Sequence, residues 1–460
     1  MNIIIKAISS LLLLTAVTSA NEKIAENSVY QFKGEPIRDL ASNKSYLTWL
    51  GKTGDIYGRE YDHGNEIWWP ALGEDPKIIQ EFTRDPPDRH NYASVVVAPD
   101  GHLVVFQTDH LKKSDGYAIM VYKSPEPGSI KGTWSSQELW DGELQPSYPT
   151  MLRVGNSLYV FIRRKVESVH RRWQFSKSTD SGETWSEPRT ILDTEELEDG
   201  QSGYQAEGFD EVYSVGRKYY DAANHRIPIA WHLAGDGSHN KYNKNMYVAY
   251  LNTEDDKMYS PNGTPLGDFI NVAEMNDANH KCLVEATPPQ PEKHSSGLVD
   301  FVHQVSFDDD GNFFVAYNFA DDDDNMQRLR FAKWTGSSWN VGSIEEAPFS
   351  SNEIRMNSLI KIPGGDAFRI SIVEPGINTV RIQETTDGGK NWTLISSQTI
   401  EANEQTINSA DFVAPYNPGY PQLLVTTFPE EDKYNTTLPG DYPVWAIGDG
   451  TDGAHRHLPD

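Results

Sequence analysis

A single cysteine, Cys282, stands in 460 residues, so no internal disulfide can form and the fold must be held by its core. Positive charge is scarce too. Forty Lys and Arg oppose 67 Asp and Glu, a formal charge of −27, which argues against nucleic acid or anionic membrane as general partners. An anionic ligand would need a local basic patch. Beyond residue 20 no apolar run approaches the eighteen or so residues of a membrane span, and no long stretch shows helical spacing. Pro/Gly/Ser linkers and low-complexity tracts are missing as well, so nothing divides the chain.

The apolar run is all at the start. MNIIIKAISSLLLLTAVTSA carries one lysine, an apolar stretch and small residues at Thr18 and Ala20, the pattern of a secretory signal cut after Ala20. Losing Lys6 with it takes the charge from −27 to −28. No cysteine follows the cut to take a lipid. The expectation is a secreted or periplasmic protein of one domain, residues 21–460, read as a monomer with no membrane or nucleic-acid partner.

Between these absences runs one repeated unit: a β-branched or aromatic strand, a tight turn, and a second strand ending in aromatics. SVVVAPDGHLVVFQ, MLRVGNSLYVFIR, SVGRKYYDAANHRIPIAWH, VHQVSFDDDGNFFVAYN, SLIKIPGGDAFRISIV and FVAPYNPGYPQLLVTTF are six examples. Turn glycines Gly101 and Gly155 lie 54 residues apart, an interval repeated by Gly311, Gly365 and Gly419. A period near 50 means propeller blades. With LTWLGKTGDIYGREYD as part of a first blade, the chain reads as all-β, a seven-bladed β-propeller of four-stranded antiparallel blades. The closing blade is expected to draw strands from both ends of the chain, which removes a free edge.

STDSGETW (178–185) fits the Asp-box pattern S-x-D-x-G-x-x-W, and TTDGGKNW (385–392) fits with Thr for Ser. Such turns join outer blade strands, and their role is structural. They specify a propeller, not an activity.

In an antiparallel hairpin the start of the first strand lies beside the end of the second. DRHNYASVVVAPDGHLVVFQTDH therefore brings His90 next to His110. Matching Phe161 to Phe106 puts Tyr148 near the start of the next hairpin and Arg164 at its end; His303, His232 and Tyr204 fall at or near comparable positions in later blades. The basic run RRKVESVHRRWQFSK begins at Arg163. A histidine, a tyrosine and an arginine without paired carboxylates suit β-elimination from a uronic acid: one group removes the C5 proton, another protonates the departing O4, and an arginine neutralises the carboxylate. The planar fork of Arg164 fits that last role.

The run H-N…D-G…H, then Y-P, then a strand ending in Arg, then an Asp box, resembles the propeller proteins with bacterial-neuraminidase-type repeats that include the ulvan lyases of polysaccharide lyase families 24 and 25. The resemblance covers most of residues 21–460. It implies cleavage of ulvan, a sulfated rhamnose–uronate polymer, by elimination that leaves an unsaturated uronate. By the same resemblance His90 and Tyr148 are the catalytic pair, Arg164 neutralises the carboxylate, and His110 binds or orients substrate. Which of His90 and Tyr148 is the base stays open. Asn91, Arg163 and Tyr204 are further substrate-binding candidates.

NHKCLVEATPPQPEKH (279–294) offers His280, Cys282 and His294. With His303, or alternatively His232, as fourth ligand, this set suits a structural tetrahedral zinc. The acidic loops DDDGN (308–312) and DDDDN (321–325) could instead hold calcium, and a buried free thiol beside exposed histidines would need no metal. The elimination requires neither ion. Two rivals remain: a sialidase-like glycoside hydrolase, whose Arg-Ile-Pro motif would have to precede the first Asp box whereas Arg226-Ile227-Pro228 follows it, and a non-catalytic glycan-binding propeller.

Overall fold

Short apolar runs broken by tight turns assemble into seven antiparallel sheets, each a blade around a common channel. The computed structural model describes residues 22–25, 35–50, 55–81, 93–108, 119–140, 146–166, 170–193, 224–234, 243–271, 282–286, 301–320, 326–345, 349–350, 355–400, 405–416, 420–429 and 444–448. Blade two is the simplest. Its strands Ala93–Val97, Leu103–Thr108, Ile119–Lys123 and Ser135–Leu139 follow in sequence from inside to outside. Gly101, Gly155, Gly311 and Gly365 take positive φ at the turns where the repeat interval placed them; Gly419 lies outside the described residues.

The innermost strands pack edge to edge. Glu35–Asp39, Ala93–Val97 and Pro146–Val154 are successive neighbours, as are Phe301–Phe307, Arg355–Ile362 and Gln405–Phe412, and the last returns to Glu35–Asp39. An inner edge strand exposes backbone N–H groups that burial would leave unpaired. Polar side chains on the adjacent blade accept them: Met151 N donates to Ser94 Oγ at 2.8 Å, Leu359 N to Gln304 Oε1 at 2.5 Å and Phe412 N to Ser358 Oγ at 3.2 Å. This explains polar residues in otherwise apolar inner strands. At the seam, Arg38 N donates to Ala414 O at 2.7 Å.

Blade seven is closed as expected. Gln405–Phe412, Leu423–Pro429 and Val444–Ile447 run outward, and Glu22–Ala25 from the other end of the chain supplies the outermost strand. In blade four, Asn243–Asn252 carries two short strands, Lys257–Tyr259 and Leu283–Glu285, on its outer edge. Ile56–Asp62 and Met326–Trp334 do the same as third strands. Arg226–Ala234 is therefore the counterpart of a second strand, as the hairpin reading has it.

Both Asp boxes join third to fourth strands. Asp180 accepts from Thr184 N at 2.9 Å, and Trp185 meets Phe106 of the neighbouring blade edge-on at 5.9 Å. Asp387 accepts from Asn391 N at 3.0 Å and Nδ2 at 2.7 Å; the bond from Asn391 chiefly holds this carboxyl below the usual carboxylate range. Trp392 packs 6.0 Å from Phe331. The boxes thus wedge aromatic rings into the core at the end of the propeller opposite the inner-strand starts.

Candidate active site

The first strand of blade three, Pro146–Val154, pairs with Ser157–Val166. Pro146 faces Arg164 and Ser147 faces Arg163, but the register then slips, and the next pair is Thr150 with Phe161. Tyr148 and Pro149 together stand against Ile162, a β-bulge. Proline has no N–H to give a ladder, which is why it is tolerated at such a point. Tyr148 takes φ 55°, a left-handed conformation that costs a bulky residue roughly 1–3 kcal/mol and recurs at functional sites.

Arg163 locks this conformation from beneath. Its guanidinium carbon lies 4.3 Å from the Tyr148 ring centroid, and its Nε donates to Ser147 Oγ at 3.0 Å. Only 2% of Arg163 is exposed. Strand alternation turns Arg164 to the opposite face, where it is half-buried and opposite Arg172 in register. Arg172 Nε donates to Asp193 Oδ1 at 3.0 Å. Three arginines thus share one end of blade three, Arg163 on the Tyr148 face and Arg164 and Arg172 on the other, the last paired with Asp193.

His90, Asn91, His110, Tyr204, His280 and His294 lie outside the described residues. In blade two Ala93 pairs with Gln107, so the chain leading from His90 and the chain leading to His110 meet at the Tyr148 end of the propeller. His303 has its backbone at a register shift between Val302 and Gln304, the blade-five equivalent of the Tyr148 bulge. Asn357 and Asn408 occupy the same kind of shift in blades six and seven. These recurrent bulges at the channel rim are the feature sequence reading missed; Tyr-Pro inside an apparent strand was the available signal.

Cys282 is buried in the core cluster that holds Trp231 and Tyr247, and burial pushes its thiol up to about 12. His232 is also buried but pairs with Met246, whose side chain packs in the cluster facing blade five. His232 and Cys282 therefore point to opposite faces of blade four. Among the described residues no three His, Cys, Asp or Glu side chains gather as a metal site. In the acidic turn, Asp308 accepts from Asn312 N at 2.7 Å and meets Lys333 Nζ at 2.8 Å, while Asp309 is held by Lys361 and Gly365 N. Residues 321–325 lie outside the described residues.

Arg226 serves another purpose. Its Nη2 donates to Gly311 O at 2.6 Å, and its guanidinium lies against Tyr250, Phe307 and Phe313, the nearest centroid at 4.7 Å. It ties blade four to a turn at the Asp-box end, away from Tyr148. Glu285 makes a comparable tie near His303: it accepts from Tyr317 Oη at 2.6 Å and pairs with Arg330 at 3.1 Å, and burial raises its carboxyl pKa.

Among solved structures, one of a PL25 ulvan lyase bound to -[GlcA(1-4)Rha3S]- matches with a TM-score of 0.69 at 15% identity, covering 94% of this chain and 96% of that one. A second structure of a PL25 ulvan lyase gives 0.67 at 14% identity, covering 95% and 96%. The polysaccharide lyase Uly1 gives 0.52 at 11% identity, with 92% of each chain covered. At these identities the likeness establishes a shared fold. No curated protein sequence matches the chain. Residues 44–347, more than half of the chain, match the sequence model of the BNR repeat-containing family, and the chain belongs to that family.

Proposed function

We propose that this protein is a polysaccharide lyase that cleaves ulvan by β-elimination and leaves unsaturated uronate ends. The observation that carries the reading is Tyr148, held in a left-handed bulge near the start of an inner strand against the guanidinium of Arg163. The shared fold with ulvan lyases supports it. In the proposed reaction Tyr148 or His90 takes the C5 proton, the C5–H electrons form the C4=C5 double bond, and the C4–O4 bond breaks. The partner residue protonates O4. Arg164 neutralises the carboxylate as charge spreads onto it, and His110, Asn91 and Tyr204 hold neighbouring sugar groups. The enzyme acts as a monomer outside the cytoplasm after loss of residues 1–20.

The test is to incubate the protein with ulvan and follow the ultraviolet absorbance of the unsaturated uronate. A steady rise is expected. No rise, with sialic acid released from a sialoside instead, overturns the reading. The sialidase alternative is weakened by Arg226, which is committed to Gly311 and three rings at the other end of the propeller.

Zinc belongs to the proposal as a structural ion held by Cys282, His280 and His294, with His303 or His232 as fourth ligand. His232 lies on the face of blade four away from the Cys282 thiol, and His303 belongs to blade five on that same side, so the fourth ligand stays open between them. A buried thiol whose pKa is pushed up to about 12 stays protonated at neutral pH, and zinc would bind it as thiolate with release of that proton. Elemental analysis should find about one equivalent of zinc, lost in Cys282→Ser; a metal-free native protein would end the idea.

A further inference from the structure

We infer that Arg163 is a positioning residue for Tyr148: its buried guanidinium fixes the tyrosine ring in the bulge and favours the tyrosinate over the phenol. The inference rests on the proposed elimination, in which Tyr148 exchanges a proton with substrate. With 2% of its surface exposed, against 7% for Tyr148, Arg163 lies the deeper of the two. It lies 4.3 Å from the Tyr148 ring, its guanidinium anchored on Ser147 Oγ at 3.0 Å. A cation this close to a phenol stabilises the anionic form, most strongly where water is excluded. The ring also shields the cation, an arrangement that is favourable where both are desolvated.

No other described charge on the packed strands competes for this role. Ala93–Val97 and Leu103–Thr108, which pack against Pro146–Val154, carry no titratable side chain. On Ser157–Val166, Arg164 turns to the opposite face, the side chain of Lys165 lies outside the described residues, and Tyr159 sits far down the strand, opposite Leu152. His90 and His110, which flank the two blade-two strands, also lie outside the described residues. The two neighbouring arginines thus divide the work, with Arg164 meeting the substrate carboxylate and Arg163 tuning the tyrosine.

The direction of the effect does not depend on whether Tyr148 is base or acid. As base it sets the rising limb of kcat/KM with pH, and as acid the falling limb; losing the cation moves either limb upward. In Arg163→Gln, which keeps a hydrogen-bonding group near Ser147, that limb should rise by about one to two pH units while KM changes little. Arg163→Lys, which restores a charge, should bring it part of the way back. Ser147→Ala, which frees the guanidinium without removing it, should produce a smaller upward shift and serves if the arginine variants do not fold.

A second readout needs no activity. The tyrosinate difference spectrum of wild type minus Tyr148→Phe isolates the Tyr148 titration, expected at lower pH in wild type than in the Arg163→Gln background. An unchanged titration and unchanged pH limbs in folded variants overturn the inference. If wild type makes no unsaturated uronate, the lyase reading fails, and the spectral titration still decides whether Arg163 tunes Tyr148.

Discussion

Tyr148 holds a bulky aromatic in a backbone conformation that glycine prefers, and the strain is sustained by Arg163 on one side and Pro149 on the other. Replacing its hydroxyl alone leaves ring, bulge and stack in place. Tyr148→Phe should therefore keep the wild-type melting temperature within a few degrees while lowering kcat by about 10²–10⁴. Arg164→Ala, on a half-buried residue of the same hairpin, should abolish turnover with the same retention of fold. Initial rates on ulvan and thermal melts check both, and retained activity in either variant refutes its assigned role. Overlaying two hairpins was enough to place Tyr148 and Arg164 at one end of the blade-three hairpin, because the first strand's start lies beside the second strand's end. The role of Arg163 was not legible that way. It depends on a one-residue register slip at Tyr148–Pro149, and a slip is a property of pairing between two strands, which neither strand carries alone.

At the scale of elements, the turns carried the most information. Glycine spacing and the two Asp boxes revealed the propeller because each turn needs a backbone conformation or side-chain oxygen that few residues supply. Gly389 shows how tight the requirement is. It has φ 92°, and a Cβ there would collide with the ring of Phe331. Gly155 also has positive φ, 57°, but nothing lies within 4 Å of its virtual Cβ. Gly389→Ala should destabilise by about 2–4 kcal/mol, combining backbone strain with overpacking, and Gly155→Ala by about 1 kcal/mol from backbone strain alone. Urea unfolding of the two variants distinguishes them, and equal losses would refute the packing argument.

For the whole molecule, closure is the weak point, since a ring has one seam however many blades it has. Here the seam is held by Glu22–Ala25 on Val444–Ile447 and by the contact of Arg38 with Ala414. A chain lacking residues 21–25 should leave the outer edge of Val444–Ile447 unpaired, with a lower melting temperature and self-association detectable by light scattering. An unchanged melt would mean that the seam is held by the inner contacts alone. The expectation that both ends share one blade came from the edge problem of sheets, not from any motif at the termini, and four residues, EKIA, carry no signal of their own.

That seam also orders events in time. Val444–Ile447 follows Glu22–Ala25 only after about 420 further residues, so at roughly 5–20 residues per second the first strand waits on the order of half a minute for its partner. Until then the final blade cannot close. The delay means that the ring cannot lock shut before nearly all of its strands have been made.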